Sequence, residues 1–172
     1  MIESELSRPV KVKTVTEDPY AIEATETERS ALAKRFSLSA LMSLNAEVQL
    51  TPSGHDVLAE GRLRAEWLQP CSISGEDFKA QANEPISFRF VPMRTDFTPD
   101  EEVELAEDDL DEIEYDGASF DVGEAIAQSL GLLIDPYATG PDAAAVRKAK
   151  GIQVEGEQDG PMAEMLAALK KG

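Results

Sequence analysis

The chain has 172 residues and carries 34 Asp plus Glu against 16 Lys plus Arg, a formal net charge of −18 with a pI near 4.3. That length can bury the core of one domain, and 42% hydrophobic residues exclude a chain disordered throughout. Such a charge argues against nucleic-acid phosphates and anionic lipid as general ligands, and favours a basic protein surface.

The opening MIESELSRPVKVK has no apolar run suited to a signal peptide, and the longest apolar segment, 130–134, is far too short to span a bilayer. The single cysteine, Cys71, excludes an internal disulfide. A soluble cytoplasmic protein without membrane contact is expected. Val10 and Val12 alternate with Lys11 and Lys13, which predicts a short half-buried strand. Thr25 with Glu28 has capping-box spacing, and Leu32 and Phe36 share a face, so a helix is expected over 26–36. Leu44, Ala46, Val48 and Leu50 then alternate with polar residues. After the turn chemistry of TPSGHD comes a second strand, with Val57, Ala59, Leu63, Ala65 and Trp67 facing away from Glu60, Arg62, Arg64 and Glu66. An antiparallel hairpin with a longish loop is expected. A further strand pattern ends in Ile86, Phe88 and Phe90, with Pro85 marking a bulge or an edge.

The charge is local. Residues 95–146 hold sixteen acids and neither Lys nor Arg, whereas the rest of the chain sets eighteen acids against sixteen bases. The ordinary role of such a run is a solvated loop or strand face; its functional role is an acidic face that meets a basic partner. Residues 98–109 have too few apolar positions to pack and read as an exposed connection. From Leu110 the pattern LDEIEY predicts a strand over 112–115, closed by the turn Asp116-Gly117. Asp121 can cap a following helix and Glu124 complete its capping box. The stripe Val122, Ile126, Leu130, Leu133 and Ile134 carries that helix over 122–134, to the break at Asp135-Pro136. Gly123 and Gly131 weaken it, so tertiary packing must hold it.

Composition shifts beyond Tyr137. A single α+β domain is expected over 1–142, containing the acidic segment 95–146, followed by a linker over 143–160 in which DAAAVRKAK can be transiently helical and GIQVEGEQDG is linker-like. A short helix is expected over 161–172, with Pro161 at its first position and Met162, Met165, Leu166 and Leu169 on one stripe. The expected architecture is an antiparallel, strongly curved sheet or partly open barrel of about five or six strands, with two main packed helices and the short C-terminal one.

Reactive constellations are missing. His55 sits alone in a turn, and Cys71 has neither a second cysteine for zinc nor a neighbouring histidine, so a partly buried structural thiol is expected. Glu112, Glu114 and Asp116 with Gly117 imitate the start of a calcium loop, but the twelfth position is Gly123 rather than a bidentate glutamate. Phosphate-loop spacing is also absent. No catalytic residue, metal ligand or cofactor is expected, hence no enzyme.

Several segments together resemble the YceD family, the large ribosomal RNA subunit accumulation proteins, in their alphaproteobacterial-like form. They are SRPVKV, ATETERSALAKRFSLSALMSLNAEV, GRLRAEWLQPCSISGEDF, ISFRFVP, EIEYDGASFDVGEAIAQSLGLLIDPY and the ALKK end. The most specific parts are Asp121-Val122-Gly123-Glu124 with Asp135-Pro136-Tyr137, and then Gln69-Pro70-Cys71. The resemblance implies binding positions at Gln69, Cys71, Asp121, Gly123, Glu124, Asp135, Pro136 and Tyr137. Many relatives carry an arginine where this chain has Ser72, so an arginine-dependent role does not transfer.

The resemblance further implies a non-enzymatic role in accumulation of large-subunit (23S) rRNA and biogenesis of that subunit. The charge pattern adds a route: an acidic face that binds a basic ribosomal protein or assembly factor, with rRNA touched indirectly. The alternative is direct rRNA binding through the less acidic N-terminal half. Its Arg62 and Arg64 lie opposite Trp67, which makes that aromatic core rather than a stacking platform.

Overall fold

Alternation over residues 40–70 produces the longest feature of the structure, a hairpin of β3 (Ala40–Ser53) and β4 (Asp56–Pro70). The computed structural model describes residues 4–16, 18–93 and 111–152. The acid-rich 98–109 and the expected helix over 161–172 lie outside them. The hairpin pairs antiparallel from Ala40 opposite Leu68 to Ser53 opposite Asp56, with a register shift between Leu41 and Ser43. Its loop is only Gly54-His55, not the longish loop expected. Gly54 has φ +66°, the left-handed conformation that two-residue hairpin loops require and glycine adopts without steric cost.

The other elements are β1 (Pro9–Lys11) with a 3₁₀ turn after it, β2 (Tyr20–Glu23), α1 (Glu26–Arg35), β5 (Asp77–Pro92), β6 (Asp111–Tyr115), β7 (Ser119–Asp121), α2 (Val122–Leu133) and α3 (Ala143–Lys150). One sheet has the order β2-β3-β4-β5-β6, and β1 pairs with β7 in a separate two-stranded sheet. The mixed α+β class and the five-stranded sheet are as expected. Two details are not. Among the described residues the sheet is not closed, with β2 and β6 at its ends, and β1 and β7 pair with each other rather than closing it. In addition β6 runs parallel to β5, from Phe88 opposite Asp111 to Pro92 opposite Tyr115. A parallel pair needs a crossover of a dozen or more residues, and the eighteen between Pro92 and Asp111 are enough. Pro85 falls where β5 has no β6 partner, on a side where a missing N–H costs nothing.

The contacts group the chain into two units, one from Met1–Gln69 and Lys79–Asp135, the other from Pro70–Phe78 and Pro136–Gly172. In the first, the inner sheet face packs with the helices around Leu32, Leu44, Leu63, Phe88, Phe90, Phe120, Ile126 and Leu130. Thr25 and Glu28 form the expected capping box at the start of α1. Gly131 earns its place in α2 by proximity: a Cβ there would lie 2.8 Å from the Phe36 ring.

In the second unit, Ser72 N–H donates to the Ala138 carbonyl at 3.1 Å, and Gly140 lies against Phe78. The stretch Ala143–Lys150 is α-helical. Gly151 at φ +66° ends this helix, with Ile152 N–H reaching the Arg147 carbonyl at 3.0 Å.

Candidate functional site

The family-type positions fall into separate clusters. At the N-terminus of α2, Asp121 Oδ1 accepts from the N–H of Glu124 at 3.1 Å, the helix cap expected from sequence. The same oxygen accepts from Arg8 N–H at 2.7 Å, and Oδ2 accepts from the Ser7 hydroxyl at 2.6 Å. Glu124 does not complete a capping box. Its carboxylate is drawn outward, accepting from Ser4 Oγ at 2.7 Å, from Arg35 at 2.8 and 3.1 Å, and from Gln128 at 3.2 Å.

Between these contacts Leu6 is 0% exposed. A Cβ on Gly123 would lie 2.2 Å from the Leu6 carbonyl oxygen, so only glycine admits the strand of backbone that crosses there. Asp121, Gly123 and Glu124 therefore act together as a clamp on residues 4–8 of their own chain. Arg8 extends the clamp to α1 by a two-pronged contact with Glu28 at 2.7 and 3.1 Å.

Both clamp glutamates are strongly biased toward the charged form. The Arg35 guanidinium, helped by Ser4 and Gln128, lowers Glu124 to about 2 against partial burial. Arg8, with the backbone and hydroxyl of Thr25, likewise lowers Glu28 to about 2. A carboxylate depressed on folding stabilises the folded state above its unfolded value, and that stability is lost as pH falls through the folded value. The clamp should thus be at full strength above about pH 4.5 and weaken as pH falls toward about 2. In urea titrations, Glu124→Gln should lower the midpoint at pH 7 and converge on the parent as pH falls through this window. A constant gap would show that the carboxylate's charge is not what matters.

At the end of β4, Gln69 is 4% exposed, the one buried polar residue among those described. Its side-chain oxygen accepts from Trp67 Nε1 at 2.5 Å and its amide donates to the Asp135 carbonyl at 2.9 Å. It thereby satisfies the buried indole and the chain leaving α2. In the second unit, Cys71 is buried and its sulfur accepts from the N–H groups of Ile73 and Ser74, each at 3.4 Å. Hydrogen bonds from the Ser74 hydroxyl, then from the Ser74 and Gly140 backbones, lower the thiol to about 6. Ser72 donates its hydroxyl to the Tyr137 carbonyl at 2.9 Å, while Pro136 and the Tyr137 side chain are exposed.

Among the described residues, no group of three or more His, Cys, Asp and Glu side chains is placed to hold a metal ion, and no helix is long and apolar enough to cross a membrane. The acidic segment also divides. Asp121 and Glu124 are committed internally, whereas Asp111, Glu112, Glu114 and Asp116 are exposed along and just after β6. Arg62 and Arg64 are exposed on the outer face of β4, opposite the buried Trp67 as alternation requires. Arg62 binds Asn83, and Glu47 and Glu60 line the same shallow groove, so that face is mixed rather than basic.

Fold and site together define an α+β protein whose motif residues hold its own frame, with an acidic strand at one end of its sheet. The chain belongs to the YceD family: the family described as "Large ribosomal RNA subunit accumulation protein YceD" matches residues 59–171. That description ties it to accumulation of large-subunit ribosomal RNA. No curated protein and no solved structure matches the chain.

Proposed function

We propose that the protein supports accumulation of large-subunit rRNA without catalysis, as a cytoplasmic factor whose acidic face binds a basic ribosomal protein or assembly factor. The observation that carries this reading is the segment 95–146, sixteen acids with no Lys or Arg, of which Asp111, Glu112, Glu114 and Asp116 are exposed at the end of the sheet. Opposed charge speeds encounter and makes it sensitive to salt. Direct rRNA contact through Arg62 and Arg64 is the weaker reading, because Glu47 and Glu60 lie beside them.

The test is capture of the native protein from cell extract at low and high salt, with and without nuclease. Basic large-subunit proteins or assembly factors should be retained at low salt, survive nuclease and be lost at high salt. Neutralising Asp111, Glu112, Glu114 and Asp116 to Asn and Gln should reduce their recovery severalfold. Retention that disappears with nuclease would instead point to RNA, and charge reversal at Arg62 and Arg64 would then show whether that face carries it.

A further inference from the structure

We propose that the free edge of β6 takes up an extended basic segment of a partner protein as an added strand. This rests on the basic-partner reading above and specifies how the partner is held. β6 terminates the five-stranded sheet, so the side away from β5 carries no strand among the described residues. An unpaired edge is a template for main-chain hydrogen bonding.

The register of that edge follows from one bond. Met93 N–H donates to the Tyr115 carbonyl at 2.9 Å, and β5 and β6 pair in parallel through Pro92 and Tyr115. Tyr115, and with it Ile113 and Asp111, therefore turns its main-chain groups toward β5. Glu112 and Glu114 alternate with these and turn theirs to the open side. An added strand meets the N–H and C=O groups of those two glutamates.

The side chains specify the occupant. Ile113 is half-buried and Tyr115 buried on the inner face, while Glu112 and Glu114 are exposed on the other. Glu112 has a long contact with Arg89, 3.9 Å between half-exposed side chains, and Glu114 has no hydrogen bond or ion pair among the described residues. An added strand sets alternate residues on the same two faces. The edge thus fits a segment that alternates Lys or Arg, beside Glu112 and Glu114, with apolar residues beside Ile113. A second copy of this chain is the wrong occupant, because pairing β6 with β6 would set acids against acids.

The experiment uses the full chain and a labelled short peptide alternating lysine with valine, followed by fluorescence anisotropy at low and high salt. Two further peptides carry N-methyl groups on the lysines or on the valines, which removes alternate main-chain donors without changing charge. Salt-sensitive binding is expected, with at least one methylated peptide weaker on the order of tenfold, the scale of one or two lost hydrogen bonds. Glu114→Pro removes an outward N–H while sparing the ladder to β5, and should bind on the order of tenfold more weakly than Glu114→Gln. Circular dichroism confirms that both variants fold. Binding that ignores methylation in both peptides, or is equal for the two variants, overturns strand addition and leaves the basic-partner reading standing. No salt-sensitive binding by any peptide overturns both.

Discussion

Phe90→Ala should cost about 3–5 kcal/mol, the range for removing a fully buried aromatic ring, seen as a large fall in the urea midpoint. The ring is 0% exposed, stacks on Phe120 at 4.2 Å between centroids and meets the edge of Phe88 at 5.4 Å. Phe90 pairs with Ile113, and Phe120 stands just before α2, so one side chain joins the parallel strand pair to the start of the second main helix. The remaining rings cannot move in without breaking their own contacts, so a cavity remains. Phe90→Leu keeps most of the volume and should cost clearly less. If both substitutions cost under about 1 kcal/mol, the aromatic cluster is not central to the fold.

Gly123→Ala should destabilise by about 1–3 kcal/mol, the usual cost of forcing an extra group into a filled site. Alanine is ordinarily the better helix former by about 1 kcal/mol, so the expected sign is opposite to that of a simple helix-propensity change. The reason is the backbone that crosses there: the new Cβ would meet the Leu6 carbonyl oxygen at 2.2 Å, and neither partner is a flexible side-chain end. Removing residues 1–8 would itself destabilise, because Leu6 is fully buried and Arg8 reaches Glu28. In that shortened chain, however, Gly123→Ala should lose most of its effect. Such non-additivity is the signature of a direct contact. Equal effects in both backgrounds would place the strain elsewhere in α2.

These predictions bear on what the family-type motif does. Asp121, Gly123 and Glu124 stand out in sequence as candidate binding positions, and in the structure they meet Ser4, Leu6, Ser7 and Arg8 of the same chain. Gln69 likewise serves Trp67 and the chain leaving α2. Arg35 could not be singled out from sequence, since an arginine in the last turn of a helix is ordinary; its partner Glu124 lies 89 residues away. Those residues hold a frame within the chain, and the acids of β6 stay exposed.

What local spacing determines, the sequence alone determined. Period-two alternation gave both strands of the β3–β4 hairpin and placed Trp67 in the core opposite Arg62 and Arg64. Capping residues and the proline break bounded α1 and α2, because those signals act within a few residues. Sequence also showed that residues 95–146 carry −16 of the net charge of −18. Tertiary structure decided the rest. The parallel docking of β6, the open sheet and the clamp on residues 4–8 each join segments far apart in the chain. Their registers depend on which distant surfaces meet, and no local pattern encodes that. The same long-range packing sorted the acids, drawing Asp121 and Glu124 inward to arginine and backbone donors and leaving Glu112 and Glu114 at the edge of the sheet.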